Sequence, residues 1–471
     1  MKKTEMSISY KWKALIVAGI GILSSTMDLG IMRVVLPPLG EVFQVGPNTV
    51  IWVQLIYLLV GTGMMLNIGK MADTFGRKKV FALGLVISSV GLLFCSLSQN
   101  FGQLLLARFV FSIGATMTIA TANAIVAAAF PANERGKALG ITGAVVSLGL
   151  LSGPAVGGIL LDTLGWRSIF YLRLPLSIIG AVMAFLLLKE ETSLEHRGRF
   201  DLVGAGILLI AIPSLLLMLN RGQSLGWTSP LVLIMGIGGL ILLLLFIVVE
   251  KRAVQPVLEL KLFSNRLFSA ASGSHVLLYM STAAIDFTMP FYLIQGLSLT
   301  ASKAGLMLVT VPAMRLLVSP ISGRLSDRLG TRLLCGLGLV LVAVGLLLLR
   351  SLSIDSQVKE IVVILGVVGL GMGLFVIPNQ SAILGAVSHQ RLGTASAMIG
   401  LLRQLGMSIG LALAGSVFAS SSLSHAAEQA SRGLAEETVQ SLSIVSGMQD
   451  TLLVALIFPV IGFLISAIRG K

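Results

Sequence analysis

Asp28 lies in the apolar run Leu15–Leu36, where its one charged companion is Arg33. An ionised carboxylate inside hydrocarbon is costly, so it needs a basic partner or a bound proton, and either makes its protonation depend on conformation. That is the chemistry of a reversible proton carrier. The competing reading is a carboxylate held in a permanent salt bridge. Asp286 is a second candidate carrier, but it lies about 28 Å along its run at 1.5 Å per residue, near the far interface. Five arginines also sit in apolar runs: Arg33, Arg108, Arg173, Arg315 and Arg403. Guanidinium forks hold carboxylate or phosphate bidentately, so Arg33, Arg173, Arg315 and Arg403 are candidate contacts for an anionic substrate group. Arg33 and Arg173 are close enough to helix ends for snorkelling to headgroups to remain open. Arg33 falls about 140° around a helix from Asp28, a poor pairing geometry, and Arg403 is the expected partner of Asp28. Gln54, Tyr57, Asn123 and Asn379 complete the candidate binding set. With Gln380, Gln404 and His275, they also suit ordinary interhelical hydrogen bonds.

The elements that must position these residues are membrane spans. With 55% hydrophobic residues, 11% charged and a mean hydropathy of +0.96, the chain cannot present a water-exposed surface over 471 residues. Runs of about 18 to 27 mostly apolar residues predict spans near 12–36, 50–69, 79–97, 103–129, 138–161, 168–188, 202–220, 230–250, 267–291, 303–322, 334–349, 361–385, 394–420 and 449–468. With the N-terminus inside, 23 of the 34 Lys and Arg fall in cytoplasmic loops and tails, 6 outside and 5 within spans. This bias supports an even number of spans with both termini cytoplasmic in a cell membrane. The net charge of +14 is thereby explained by topology, since the basic residues recur in short runs and make no nucleic-acid patch. Lys2, Lys3, Lys11 and Lys13 precede a run that continues without a small-residue cleavage site, which reads as a retained first span. The stretch Ser420–Asp450 reads as a polar outer loop with room for a surface helix. Cys95 and Cys335 lie in apolar runs and predict neither a disulfide nor a metal site. No nucleotide-binding loop, His cluster or nucleophile constellation is visible, so no enzyme, cofactor or metal is expected.

Two short stretches are versions of one another. Residues 69–79 read GKMADTFGRKK and residues 323–333 read GRLSDRLGTRL, so Gly69, Asp73 and Gly76 correspond to Gly323, Asp327 and Gly330. Charge topology requires neither that spacing nor a second copy; a duplicated bundle does. These loops, with Arg77 and Arg332, are candidate gates. In the fifth span Gly149, Gly153 and Gly157 share one helical face beside Pro154 and Gly158, which predicts a tightly packed, bent helix acting as a pivot.

The first of these loops, the stretch from Gly149 to Gly158, Arg108 in LLLARFVFSIGA and GWRSIF at Gly165–Phe170 together resemble the major facilitator superfamily, in its fourteen-span drug:proton antiporter branch. The resemblance covers essentially the whole chain. It implies an all-α polytopic fold of two six-helix bundles, residues 1–188 and 267–471, separated at 189–266 by a cytoplasmic linker and two extra spans. It further implies alternating access and proton-coupled export of small amphipathic compounds. Separately, the protein is expected to act as a monomer. By this resemblance Asp28 matches a first-span proton carrier, Arg108 an arginine assisting proton transfer, Asp73 and Arg77 a cytoplasmic latch, and Gly153, Pro154, Gly157 and Gly158 the antiporter pivot. The chain departs from the pattern at Arg33 and Arg173, where Asn is usual, and Arg315 is also unusual for its span. These extra cations favour an anionic substrate. A cationic-drug exporter with structural arginines is the alternative, and a scaffold or lipid transporter on the same fold stands further off.

Overall fold

The computed structural model describes residues 2–131, 134–189, 202–252, 260–387 and 392–468, and among them there is no strand. Long apolar stretches satisfy every backbone polar group internally by forming helices, which is what the hydrocarbon requires. They are α1 (Lys2–Val42), α2 (Trp52–Phe75), α3 (Arg77–Leu97), α4 (Phe101–Ala129), α5 (Arg135–Leu164) and α6 (Ser168–Leu187). Then come α7 (Leu202–Leu225) and α8 (Pro230–Arg252), followed by α9 (Arg266–Phe291), α10 (Ala301–Leu308 and Thr310–Leu329), α11 (Thr331–Arg350), α12 (Val358–Gly385), α13 (Leu392–Ser431) and α14 (Glu436–Ala467). Among the described residues, thirteen helical stretches are long and apolar enough to cross a membrane, and a shorter apolar stretch, Gly206–Gly222, lies within α7. Each predicted span falls on one of these helices. The charged linker expected after α6 lies outside the described residues beyond Lys189.

Polar residues stop and start the helices where the sequence changes character. The Asn100 side chain accepts from the Gln103 amide at 2.9 Å to cap α4, and Asn265 accepts from the Leu267 amide at 2.9 Å to cap α9. The region 420–450 corrects the expectation of an outer loop with its own surface helix. There α13 continues to Ser431 and α14 starts at Glu436, so the two spans extend as a helical hairpin turning at Gly433, φ 75°. The Ser421 hydroxyl and the His425 ring, at 3.0 Å, both meet Asp450 across the hairpin. The Ala, Gln and Glu of this stretch are good helix formers once a span has nucleated the helix, which removes the need for a loop.

The repeated motif is mostly helix and only minimally loop. Gly69 and Asp73 lie in the last turns of α2, Gly323 and Asp327 in those of α10, and one residue, Gly76 or Gly330, joins each helix to the next. Both glycines have positive φ, 101° and 82°. That backbone conformation is open to Gly and strained for L side chains, so the repeat encodes a one-residue joint between antiparallel helices.

Contacts divide the chain into two compact units. The first holds the chain up to Val35 and Trp52–Leu209; the second holds Leu36–Ile51, Ile210–Arg252 and the chain from α9 onward. The division therefore cuts α1 after Val35 and α7 after Leu209. Within each unit the same pairings recur. A Cβ on Gly114 of α4 would lie 2.4 Å from the Gly84 carbonyl of α3, and one on Gly338 of α11 would lie 2.7 Å from the Gly371 carbonyl of α12. Gly84 and Gly338 each follow their joint glycine by 8 residues, so the duplication extends from the motif into the helix contact. Similarly, α5 packs on α1 through Gly149, Gly153 and Gly157, and α13 packs on α9 through Gly406 and Gly410. Small residues let backbones approach where lipid offers no hydrophobic drive between helices.

Gly330→Ala places a Cβ in the positive-φ joint with no atom to clash within 4 Å, so strain alone acts. The expected loss is about 1–2 kcal/mol, read as a lowered thermal unfolding midpoint of purified protein, with Gly330→Asn less affected.

Candidate functional site

The site forms where α1, α4 and α6 of the first unit bring Asp28, Arg108 and Arg173 together. Asp28 and Arg108 are fully buried and Arg173 is 1% exposed. Arg108 grips the carboxylate as a fork, Nη1 donating to Oδ1 at 2.7 Å and Nη2 to Oδ2 at 2.8 Å. Arg173 Nη1 donates to the same Oδ1 at 2.5 Å. The rest of each guanidinium is aimed by backbone: Arg108 Nε donates to the Val53 carbonyl of α2 at 2.9 Å, and Arg173 Nε to the Ile169 carbonyl one turn back at 3.3 Å. Arg173 Nη2 is buried without a hydrogen-bond partner.

An aromatic floor supports both cations. Phe111, one turn beyond Arg108 on α4, lies 5.1 Å from the Arg108 guanidinium carbon and 5.2 Å from that of Arg173. Tyr57 stacks on Phe111 at 6.1 Å with its ring 6.0 Å from Arg108, and Phe170 lies 5.8 Å from Arg173. Cation–π attraction of this kind is strongest where water is excluded, and burial supplies that condition.

Helix α1 is positioned from its other side. Gly153 lies against Gly30 and the Met27 carbonyl, where an added Cβ would come within 2.7 and 2.8 Å, and Gly149 and Gly157 lie against Thr26 and Ile31. Gly30 and Asp28 are about 200° apart around the helix, so the face gripped by α5 is opposite the face that presents the carboxylate. The expected pivot is thus seated directly behind the expected carrier, with Pro154 and Gly158 buried in it.

The structure corrects two expectations here. Asp28 pairs with Arg108 and Arg173 of its own unit instead of Arg403. A first-half carboxylate already carries two guanidinium partners, an arrangement that span boundaries alone could not reveal. Arg173 does not snorkel, because it is 1% exposed and bonded inward.

The other candidates are dispersed. Gln54 and Tyr57 are buried on α2 beside the Val53 carbonyl, and Arg33 is half-buried on α1. Asn123 is exposed on α4, and its side-chain oxygen accepts from Thr142 at 3.2 Å. In the second unit Asn379 is fully buried, donates to the Ala271 carbonyl at 3.0 Å and lies 3.3 Å from His275 Nδ1, tying α12 to α9. Asp286, Arg315 and Arg403 are half-buried on α9, α10 and α13. Of the gate residues, Gly69, Gly323 and Arg77 are half-buried, Gly76 is buried, and Gly330 and Arg332 are exposed; the side chains of Asp73 and Asp327 lie outside the described residues. Sequence reasoning missed Phe111, Phe170 and the Val53 carbonyl. The signal for Phe111 was present, since an aromatic three residues after a buried arginine on a helix shares its face. Among the described residues no group of three or more His, Cys, Asp or Glu could hold a metal ion.

A sequence profile of the Major Facilitator Superfamily matches residues 18–251 and 271–427. The chain belongs to the Major Facilitator Superfamily. The superfamily identity fits the solved neighbours. A bacterial homologue of the human lysosomal transporter Spinster, inward-facing and unoccupied, aligns at TM-score 0.71 with 16% identity over 97% of both chains. The human organic anion transporter MFSD10 aligns at TM-score 0.64 with 15% identity, over 97% of this chain and 99% of that one. Sequence relatives within the superfamily are nearer. The riboflavin transporter RibZ of Clostridioides difficile is 36% identical over 411 residues, 87% of this chain and 89% of RibZ. The multidrug resistance protein Stp of Mycobacterium tuberculosis (strain CDC 1551 / Oshkosh) is 33% identical over 408 residues, 86% of this chain and 75% of Stp. This chain is accordingly a membrane transporter of the superfamily and not an enzyme.

Removing the carboxylate leaves two guanidiniums buried without an anion. Asp28→Asn should therefore lower stability by about 3–5 kcal/mol, and adding Arg173→Asn should restore part of the loss. Thermal unfolding of the two single variants and the double variant in detergent checks the cycle.

Proposed function

We propose that the chain is a proton-coupled exporter that exchanges small amphipathic compounds for protons by alternating access. The observation that supports this reading is the buried Asp28–Arg108–Arg173 cluster. A dry carboxylate between two guanidiniums cannot take a proton in place, because protonation would leave both cations unpaired. It can do so only if the helices carrying Asp28 and the arginines shift apart or water enters. Proton binding is thereby tied to conformation, as coupling demands. The glycine seat on α5 lets α1 make such a shift without changing its partner, and the two glycine joints are natural hinges. Asp28 is the proposed carrier; Arg108 and Arg173 set the condition for its release. Arg403 and Asp286 remain secondary candidates in the second unit, and Arg77 and Arg332 with Asp73 and Asp327 brace the gate. Both termini are placed in the cytoplasm at a cell membrane, and the proton gradient is the energy source. A monomer suffices for the cycle.

The cluster also sets a charge rule. It carries one net positive charge with Asp28 ionised and two with Asp28 protonated. A cationic amphiphile therefore loads best after the proton has left, which is exchange. An anion loads best with the proton present, which is cotransport. Arg173 serves Asp28 instead of standing free for a substrate anion, and relatives such as Stp are named for multidrug resistance. Both favour the alternative raised from the sequence, export of cationic compounds with the arginines structural. The second reading, an anion carried together with a proton, is supported by the unpartnered Nη2 of Arg173 and leaves Arg33, Arg315 and Arg403 as further contacts.

In proteoliposomes with an imposed pH gradient, ethidium should leave by the proposed export route as protons enter, and carboxyfluorescein should not drive opposing proton flow. Asp28→Asn should abolish the proton flow coupled to ethidium. Proton movement in the same direction as carboxyfluorescein, with none for ethidium, would replace the exchange reading with the second one. Flux of neither compound above empty liposomes would sink both.

A further inference from the structure

A second feature of the first unit lies away from Asp28, at the end where α1 and α3 enter their membrane stretches and α4 and α6 leave theirs. The apolar runs of α1 and α3 begin near residues 12 and 79, and those of α4 and α6 end near 129 and 188, so these positions share one membrane boundary. A shallow cleft opens there, lined by Tyr10, Arg77, Lys78, Ile125, Leu188 and Lys189. Three of its six lining residues are cations. Ile125 is buried at 7% exposure and Leu188 at 3%, which gives the cleft an apolar floor under a basic rim.

The rim is held in shape. Lys189 donates its backbone amide to the Tyr10 hydroxyl at 3.1 Å and carries its ammonium 5.1 Å from the Tyr10 ring centre. Nearby Lys11 is neutralised by Glu134 at 2.5 Å, whereas among the described residues no carboxylate pairs with Lys78 or Lys189. Lys78 lies in the first turn of the 21-residue helix α3, whose cap residue is Gly76 and supplies no side-chain bond, so the amides there also favour an anion. Trp12, 41% exposed, marks the same depth as an interfacial aromatic.

We propose that this cleft binds the phosphate of an anionic phospholipid, with Lys78 and Lys189 as its principal contacts and Ile125 and Leu188 meeting the start of the acyl chains. A phosphate free in solution shares the headgroup chemistry but gains nothing from the apolar floor or from the boundary position. Bound lipid would tie the ends of α1, α3 and α6 together beside the joint at Gly76. The proposal is independent of substrate identity and of any role for Asp28.

The test uses the full chain purified in a neutral detergent, with affinity measured for short-chain phosphatidylglycerol and for phosphatidylcholine of the same acyl length. The wild type should prefer phosphatidylglycerol, and Lys78→Gln/Lys189→Gln should weaken that affinity roughly thirty-fold and remove the preference over phosphatidylcholine. Lys78→Arg/Lys189→Arg should retain the preference, separating charge from folding. Millimolar inorganic phosphate should not displace the lipid. Equal affinity for the two lipids in the wild type, or an unaltered preference in the glutamine variant, would overturn the site. Full displacement by inorganic phosphate would overturn the lipid as its occupant.

Discussion

A carboxylate sealed between two guanidiniums in a medium that cannot solvate any of them is the constraint on which the first unit depends. Each charge is tolerable because the others are there. The Arg108 fork, the Arg173 contact and the Val53 carbonyl fix α1, α2, α4 and α6 around one point, and Phe111 presents its ring to both cations. In low dielectric these interactions are strong when complete and costly when broken, which is the property the proposed coupling draws on. A transporter needs such a property, since coupling fails if intermediate states are populated freely.

The mechanical side of the account follows from how closely the backbones approach. Gly149, Gly153 and Gly157 hold α1 from behind, and the Gly84–Gly114 and Gly338–Gly371 contacts lock α3 to α4 and α11 to α12. Rigid pairs joined at single glycines of positive φ concentrate any rearrangement at the joints. The duplicated motif is therefore understandable as hinge geometry as well as charge: its invariant spacing places Gly76 and Gly330 where one helix must reverse into the next.

Much of this was legible in the sequence because membrane physics is unusually restrictive. Hydrophobic length dictated the spans, and the spacing of Gly149, Gly153 and Gly157 the packed face. Asp28, Arg108 and Arg173 were each visible as charges that hydrocarbon would not tolerate unpaired. Their pairing was not visible. Contact between α1 and α6 depends on helix rotation and tilt, which periodicity fixes only within one helix, and so the sequence points to Arg403 as the partner and to Arg173 as a substrate contact or a snorkelling residue. The helical hairpin over 420–450 was missed for a different reason: polar composition indicates departure from the membrane but does not indicate that a helix stops there. The Tyr10–Lys189 cleft draws its residues from three helices and the segment just after α6, and has no linear signature at all.

The central claim is that Asp28 exchanges its arginines for a proton during the cycle. Proton release on substrate binding tests it most directly, measured with a pH dye in weakly buffered detergent solution of the purified protein. Binding of a cationic amphiphile that the wild type transports should release up to one proton per chain, and Asp28→Asn should release none while still binding the compound. Equal release by the variant would show that another group carries the proton and would contradict the account.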